Sequence, residues 1–283
     1  MTPTRATFLI ALAFAGAPVP AAERWSGDAY SSATDALLYH ETHYVYDGGR
    51  ERVVLYRCPD GQPFARKHVQ ETANAQAPDF DLVDAHLGYR EGVRERNGAR
   101  EVYVQRRPSM PEQASVVPVP ANGVIDTGLE AFAQRHWDEL LRGKTLSVPY
   151  LVPSRRKFFD VAVDRVADAP GTRPSTMTLR LAIDSWLSFL LPHIEIVYDI
   201  ASRAIVRYEG LSSIRDDNGK SYRIRALYPP ATAAVPVDDD EVRSALAAPL
   251  ASACTAADTR VSARGQATVP EVTPALATRN RKP

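Results

Sequence analysis

Hydrophobic and polar residues alternate along most of this chain, as they do in half-buried β-strands. In the first half, glycine-containing turns separate the alternating runs. Asn97-Gly98, between two such runs, is typical of a tight hairpin. The strands predicted here are 35–46, 51–57, 63–70, 87–96 and 100–107. We therefore expect this half to form a meander of antiparallel hairpins.

The period changes to that of a helix between residues 125 and 143. The apolar residues at helical spacing are Leu129, Phe132, Ala133, Trp137 and Leu140. Thr127 followed by Glu130 has the spacing of a capping box. The pattern predicts one amphipathic helix over 127–142, with its apolar side against a sheet.

Alternation returns in the second half of the chain. It predicts strands at 159–164, 177–184, 194–199, 204–211 and 221–228. The apolar run 185–191, stopped by Pro192, fits a short helix or a buried strand, and we favour the helix. Taken together, the pattern predicts a long antiparallel sheet of about nine to twelve strands, which tends to curl rather than stay flat.

The two ends of the chain have a different character. Arg5 precedes the apolar run 6–17, and Val19-Pro20-Ala21 offers small residues for cleavage, so 1–22 is predicted to be a signal peptide. The stretch 230–283 is rich in Ala, Pro and Thr and contains no aromatic residue, which predicts a disordered tail with a transient helix near 241–248. Residues 23–229 remain as a single β-rich domain.

Composition narrows the functional classes only slightly. Lys and Arg total 34, as do Asp and Glu, so the zero net charge gives no general attraction to nucleic acid or to an acidic membrane. Cys58 and Cys254 are the two cysteines. Export would permit a disulfide, but Cys254 lies in the predicted tail, so we expect two unpaired thiols. Neither a metal nor a cofactor is predicted, and no transmembrane span is expected after removal of the signal peptide.

Few acidic and histidine side chains are candidates for a catalytic site. The segment PDFDLVDAH carries Asp81, Asp84 and His86, and we interpret it as a polar crossing between strands. If the fold brought these three together with His136, they would provide the carboxylate and histidine site of a hydrolase. His40 and His43 are expected on opposite faces of one strand, which argues against a shared metal.

Arginines on the predicted strands are the other recurrent feature. Arg180, Arg207, Arg223 and Arg225 stand opposite the apolar residues of their strands. If the sheet curls, their guanidinium groups could converge and bind an anionic headgroup or a peptide carboxylate. The alternative is an ordinary solvated face on which they pair with Asp and Glu.

Several longer runs carry a resemblance. They are YRCPDGQPFARKHV, PDFDLVDAHLGYREGVRERNG, HWDELLRGK, LVPSRRKFFDV and YDIASRAIVRYEGLSSIRDDNGKSYRIR. Over about residues 35–229 the chain resembles an uncharacterised group of exported proteobacterial proteins, a resemblance that implies no known reaction. In its order of strands and helix it is also similar to the periplasmic lipoprotein carriers and their outer-membrane receptor. That architecture implies an open half-barrel with helices on its concave side and acyl chains between them.

These observations lead to one expectation and two alternatives. The fold is expected to be α+β, a strongly curved antiparallel half-barrel with one main amphipathic helix in its concavity. The protein is expected to be a periplasmic, non-enzymatic carrier for a lipid or other amphiphile, with an envelope protein as a possible partner. The residues expected to line the site are Leu129, Phe132, Trp137, Leu140, Trp186, Leu190 and the arginines 180, 207, 223 and 225. The alternatives are an envelope hydrolase, or an assembly partner that uses a long uncapped sheet edge.

Overall fold

The computed structural model describes residues 22–167, 175–183, 193–228 and 234–254. The predicted signal peptide lies outside the described residues except for Ala22, and the predicted helix at 185–191, with Trp186 and Leu190, lies outside them entirely. Fifteen strands of the described part form one sheet, and every named strand pair is antiparallel. The expectation of a fold dominated by an antiparallel sheet is therefore confirmed, with more strands than expected.

Most of the strands are close to their predicted positions. The bounds are β1 (Ala22–Ser31), β2 (Leu37–Tyr46), β3 (Glu51–Arg57), β4 (Pro63–Gln70), β5 (Asp79–Asp84), β6 (Tyr89–Arg96), β7 (Ala99–Gln105), β8 (Gln113–Val116), β9 (Leu146–Val152), β10 (Lys157–Val166), β11 (Thr176–Ile183), β12 (Ile194–Asp199), β13 (Ile205–Arg215), β14 (Ser221–Leu227) and β15 (Val235–Val237). Asn97 and Gly98 join β6 to β7 with φ angles of 53° and 74°, the left-handed pair that the hairpin motif requires. The segment interpreted as a polar crossing is instead strand β5, because its alternating Phe80 and Leu82 are buried.

The strand order is β8-β7-β6-β5-β4-β3-β2-β1-β14-β13-β12-β11-β10-β9, with β15 beside β1. Two meanders are therefore joined by the pairing of β1 with β14, and β8 and β9 are the two ends of the order. β8 has four residues, while β9 receives an added contact in which Leu151 N–H donates to Val124 O at 2.9 Å. The assembly-partner alternative, which needs a long uncapped edge, stays a prediction.

The predicted helix is present as two short helices, α1 (Gly128–Arg135) and α2 (Trp137–Leu141), which meet at His136. The expected capping box is wrong, because the side chain of Thr127 makes no capping hydrogen bond. The physical reason is that Thr127 has helical backbone angles (φ −64°, ψ −14°) rather than the extended ones of a capping residue, while the carboxylate of Glu130 binds Arg52 of β3 instead. Gly128 is required at the start of α1, since a Cβ there would lie 2.0 Å from the carbonyl oxygen of Gln76.

The two faces of the sheet are distinguished by the helices that cover them. Arg52 bonds α1, whereas its neighbour Val53 packs with α3 (Asp239–Ala247), and successive residues of a strand point to opposite faces. We call these the α1 face and the α3 face. On the α1 face, the apolar side chains of α1 and α2 pack against Val148, Val163, Met177 and Leu179 of strands β9 to β11.

The segment 234–254 corrects the expectation of a disordered tail from residue 230. β15 pairs with β1, and α3 buries Val242 and Ala245 against β1, β2 and β3. The acidic run that suggested disorder starts this helix: Asp238 accepts a hydrogen bond from Glu241 N–H at 2.9 Å, and acidic residues fill the first turn, where the helix dipole favours negative charge. Residues 255–283 lie outside the described part.

A disulfide fixes the end of this segment, so the expectation of two unpaired thiols is wrong. Cys58, fully buried at the end of β3, bonds to Cys254 with 5.5 Å between their Cα atoms. Sequence reasoning separated them because it placed Cys254 in the tail. The fold brings them together through α3, and Ala251 N–H donates to Pro63 O at 2.8 Å beside the bond.

We predict that Cys58→Ala/Cys254→Ala lowers the free energy of unfolding by about 2–5 kcal/mol, because the disulfide closes a loop with a sequence separation of 196 residues. Urea unfolding of the purified protein measures this change. Dithiothreitol should destabilise the wild-type protein by a similar amount and leave the double variant unchanged. Equal stabilities of wild type and variant would contradict the prediction.

We predict that Leu140→Ala lowers the free energy of unfolding by about 2–5 kcal/mol, because Leu140 is fully buried between α2 and the sheet. Leu211→Ala is the matched control, since Leu211 is 43% exposed and its loss should change stability by no more than about 0.5 kcal/mol. Thermal or urea unfolding compares the two variants. A similar decrease in the free energy of unfolding for both variants would show that Leu140 is not tightly packed between α2 and the sheet.

Candidate functional site

The apolar residues expected to line a ligand cavity form part of the core. Leu129 is 8% exposed, Phe132 4%, Trp137 3% and Leu140 0%. The ring of Trp137 meets Tyr198 of β12 edge to face, with centroids 5.6 Å apart. These side chains fill the contact between the helices and strands β9 to β12, which gives them a packing role.

The four arginines lie on the α3 face, on the opposite side of the sheet from α1. Along β13 and β14, the neighbours of Arg207, Arg223 and Arg225 point to the α1 face. Because successive residues of a strand point to opposite faces, these three arginines point to the α3 face. Arg180 pairs with Asp164 at 3.0 Å, and Arg225 pairs with Asp35 at 2.9 Å. The solvated face paired with acidic residues, given above as the alternative, describes these two arginines.

The residues of the hydrolase alternative are not brought together. Asp81 lies on the α3 face, where it accepts hydrogen bonds from Tyr103 and Arg90. Asp84 points to the α1 face and caps the following turn, while His86 pairs with the exposed Asp217. The fourth residue, His136, pairs with Glu139 one helical turn away.

Histidines of β2 separate as expected, His40 towards Asp28 and His43 towards Glu41. Within the described ranges, no group of three or more His, Cys, Asp or Glu side chains is arranged to hold a metal ion.

Charged side chains that sequence reasoning did not select come together in the middle of the α1 face. We call this group the α1-face cluster, and its members are Glu41, His43, Arg52, Lys67, Glu91, Asp126 and Glu130. Strands β2, β3, β4 and β6 supply the first five, and the start of α1 supplies the other two. Glu41, Lys67 and Glu91 are buried, and the other four are half-buried. Buried charges are uncommon unless they are paired.

Two ion pairs join α1 to the sheet within the cluster. Arg52 donates to both carboxylate oxygens of Glu130, at 2.7 and 3.0 Å. Lys67 donates to Asp126 Oδ1 at 2.9 Å. Burial alone would raise the pKa of Glu130 and lower that of Lys67. In both cases the partner's charge prevails, so the pKa of Glu130 falls and that of Lys67 rises.

Glu41 is the centre of a second, adjacent arrangement. Its Oε2 atom lies 3.0 Å from His43 Nε2 and accepts a hydrogen bond from Tyr228 at 2.8 Å. Burial alone would raise the pKa of Glu41, but the hydrogen bond from His43 and its charge, with that from Tyr228, bring it below the usual value. The imidazole of His43 stacks on Trp25, with an interplanar angle of 7°.

Glu91 is the most isolated carboxylate of the cluster. It is 5% exposed and accepts a hydrogen bond from Tyr89 at 2.5 Å, while Arg215 donates to the same tyrosine at 2.9 Å. Within the part of the chain that the structure describes, Glu91 forms no ion pair. Burial raises its pKa, and Tyr89, Arg215 and Lys67 offset only part of that rise.

Aromatic rings surround the charged groups. Tyr150 of β9 and Tyr208 of β13 are half-buried. Burial raises the pKa of each, followed by the negative charge of Asp126 at Tyr150 and of Glu41 at Tyr208. Tyr228 and Trp25 are half-buried as well. All four rings stand on the α1 face; Trp25, Tyr208 and Tyr228 lie near the middle of the strand order, and Tyr150 lies on β9 at its end. Part of each ring remains open to solvent.

Some polar atoms of this region have no hydrogen-bond partner among the described residues. They are His43 Nδ1, Asp126 Oδ2 and the hydroxyl of Tyr198, each with almost no accessible surface. Buried polar atoms are nearly always satisfied in folded proteins, so each unsatisfied one calls for a physical explanation. A bound ligand is one such explanation.

A sequence signal for the cluster existed in the alternation. Lys67 stands between Ala65 and Val69 on the buried side of β4, and Glu91 stands between Tyr89 and Val93 on the buried side of β6. A charged residue in phase with the apolar positions of a strand must be buried with them. The predicted binding arginines are out of phase with the apolar residues of their strands. Alternation therefore places these arginines on the opposite face from the cluster.

Two surface depressions lie elsewhere. One of about 300 Å³ lies beside Arg135, Asp138 and Arg203, and one of about 290 Å³ lies beside Arg142 and Arg165. Neither includes a residue of the α1-face cluster. The first is lined mainly by charged side chains, and the second by small and apolar residues beside its two arginines. Neither contains an unsatisfied buried polar atom, so we take the α1-face cluster, which does, as the candidate site.

Comparisons with known proteins add little to this picture. No family model matches the chain, and no curated protein matches it. A solved structure with some similarity is the beta-barrel-like protein of domain of unknown function DUF1849 from Brucella abortus. It is 10% identical, the match covers 77% of this chain and 99% of that chain, and the TM-score is 0.41. A TM-score this low assigns neither fold nor function, so the expected likeness to lipoprotein carriers stays a prediction.

Among the described residues, no helix has both the length and the apolar character needed to cross a membrane.

We predict that Glu91→Gln raises the free energy of unfolding at pH 7, because it removes a buried carboxylate whose pKa in the folded state lies above the usual 4.5. An acid with a raised pKa favours folding when protonated, and this contribution is lost as the pH rises through its folded pKa. The advantage of the variant should therefore disappear below about pH 4.5. Urea unfolding across this range measures it.

Glu209→Gln is the control for this prediction, since Glu209 lies on the α3 face of β13. It should show no comparable pH-dependent gain. A Glu91→Gln protein that is less stable than wild type at pH 7 would show that the ionised carboxylate is stabilised by Lys67 and Arg215, contrary to our expectation.

Proposed function

We propose that this protein is an exported, non-enzymatic binding protein of the cell envelope, and that it binds a small amphiphile at the α1-face cluster. The observation that carries the proposal is the mixed lining of that region. Half-buried aromatic rings, including Tyr150, Tyr208 and Tyr228, stand beside charged groups to which solvent has access. Such a lining suits a ligand that has both an apolar and a polar part.

The proposed site differs from the one expected from sequence. The apolar residues of α1 and α2 are packed as core, so they leave the ligand to the region beside the start of α1. There the rings would contact the apolar part of the ligand, and the side chains of the cluster would contact its polar part. Unsatisfied atoms such as Asp126 Oδ2 and His43 Nδ1 would acquire partners on binding.

Two features support export. The segment 1–22 has the composition of a signal peptide. The disulfide between Cys58 and Cys254 is of a kind that persists in oxidising compartments such as the periplasm. The periplasm is therefore the compartment that we propose.

A second candidate function rests on the pairing of Glu41 with His43. A histidine oriented by a carboxylate, with its other nitrogen unoccupied, has the arrangement of a general base. His43 Nδ1, which has almost no accessible surface, would have to be exposed by ligand binding before it could activate water for hydrolysis of a bound ester. The binding function has the stronger support, because it also accounts for the rings and for the other unsatisfied atoms.

We expect the full mature protein to bind one molecule of a ten-carbon amphiphile below its micellar concentration. The probes are decyl maltoside, decyl sulfate and decyltrimethylammonium, followed by native mass spectrometry and by tryptophan fluorescence. Saturable binding of any one of them, released unchanged, supports the proposal. Failure of all three to bind would overturn it. Hydrolysis of an added decanoate ester to decanoate and its alcohol would favour the hydrolase.

Tyr208→Ala tests the place of binding. It should weaken the affinity by about tenfold or more, because a partly buried aromatic contact is lost. Tyr30→Ala is the matched control, since Tyr30 is also half-buried but lies beside Arg225 on the α3 face. Equal affinity of both variants would place the ligand elsewhere.

A further inference from the structure

We propose that the depression at the junction of α1 and α2 is a second binding site, which takes a phosphate group. Its volume is about 300 Å³. It contains no residue of the α1-face cluster and lies at the other end of α1 from Asp126, so the site does not depend on the proposed function. Most of the lining residues are charged or ionisable: Arg135, His136, Asp138, Glu139, Arg142 and Arg203.

Three separate elements bring arginines to this one depression. Arg135 ends α1, Arg142 follows α2, and Arg203 lies in the turn between β12 and β13. Gln134 joins this turn to α1, because its Nε2 donates to the carbonyl oxygen of Arg203 at 3.0 Å. The fold therefore places the three arginines around a single space, although Arg203 comes from a distant part of the chain.

Neutral groups hold two of these arginines in place. Arg135 donates to Gln76 Oε1 at 2.8 Å, and the guanidinium of Arg203 lies 5.1 Å from the ring centre of Trp137. Among the described residues, no carboxylate forms an ion pair with Arg135, Arg142 or Arg203. An amide or a ring fixes a guanidinium without neutralising it, so the positive charges remain uncompensated.

The acidic side chains of the lining offset only part of this charge. Glu139 lies 2.9 Å from His136 Nδ1 through one oxygen and accepts a hydrogen bond from Lys144 through the other. Lys144 therefore balances Glu139, and Asp138 is left to oppose the three arginines. Two positive charges remain, which matches the charge of about −1.5 to −2 that a phosphate monoester carries at pH 7.

The geometry of guanidinium groups and the size of the depression both favour this ligand. Arginine forks bind phosphate oxygens in a bidentate manner, and several of them can engage one tetrahedral group from different sides. A volume of about 300 Å³ is at the lower end for ligand sites, so it accommodates a headgroup-sized molecule rather than a whole lipid. A soluble phosphate ester and a phosphomonoester lipid headgroup present this same chemistry.

The first test is binding of inorganic phosphate to the full mature protein, measured by isothermal titration calorimetry at low ionic strength. We expect saturable binding with a dissociation constant of about 1 mM or below, weakened by added sodium chloride. Arg142→Gln and Arg203→Gln should each weaken it by about fivefold or more, because each removes a charge-assisted contact.

Arg57→Gln is the matched control for these variants. Arg57 also donates to a neutral group, the carbonyl oxygen of Gly61 at 3.2 Å, but it lies on β3 outside the depression. Its substitution removes the same charge and should leave phosphate binding unchanged. Equal weakening by Arg57→Gln, Arg142→Gln and Arg203→Gln would show that net charge alone attracts the anion, and would overturn the site.

Asp138→Asn tests the sign of the ligand's charge. The substitution keeps the shape of the side chain and removes the carboxylate that opposes the arginines, so phosphate should bind about twofold more tightly or better. Binding that is not tightened would contradict the anion assignment.

Vesicle flotation distinguishes a lipid headgroup from a soluble ligand. Vesicles of phosphatidylcholine with phosphatidic acid are compared with vesicles of phosphatidylcholine alone. Recruitment to phosphatidic acid that Arg142→Gln abolishes supports the site with a lipid headgroup, and phosphate binding without recruitment supports it with a soluble phosphate ester. Absence of both would overturn the phosphate site and leave the amphiphile proposal, which concerns another region, standing.

Discussion

The arrangement of this protein depends on two ion pairs between the sheet and the start of α1. Arg52–Glu130 and Lys67–Asp126 cross from neighbouring strands to one short segment, so together they set both the position and the rotation of α1. Desolvation makes such pairs costly to form. Removing one partner of the more buried pair, Lys67–Asp126, leaves an unpaired charge and costs about 3–5 kcal/mol, whereas solvent reaches Glu130 and weakens the effect at the other pair. We therefore regard them as determinants of position rather than as a net source of stability.

Covering both faces of the same strands is the second constraint. β3 contacts α1 through Arg52 and contacts α3 through Val53 and Leu55. A helix therefore covers each of its two faces. The disulfide of Cys58 at the end of β3 then anchors the segment that carries α3. A strand enclosed in this way can hold charged groups at fixed positions, which a binding site requires.

Local patterns predicted the hairpins well because their causes are local. Asn97-Gly98 dictates its own turn, and alternation identifies β3 and β4 without knowledge of the rest of the fold. β1 and α3 were not predicted as stable elements, because each depends on partners distant in sequence: β1 pairs with β14 and α3 packs on the early strands. The site was missed for a related reason, since ion pairs such as Lys67–Asp126 become visible only when α1 lies on the sheet.

The distribution of polarity on the α1 face links fold to function. Over strands β9 to β12, α1 and α2 bury an apolar core. The apolar residues that were expected to bind ligand are part of this core and pack against the sheet. Beside this core, at the start of α1, the same face changes to carboxylates, cations and tyrosines. A core selected for stability alone would continue with apolar residues there, since replacing buried ion pairs by well-packed hydrophobic groups is often neutral or stabilising. Under the proposed function, a ligand would complete unsatisfied acceptors such as Asp126 Oδ2 at that boundary.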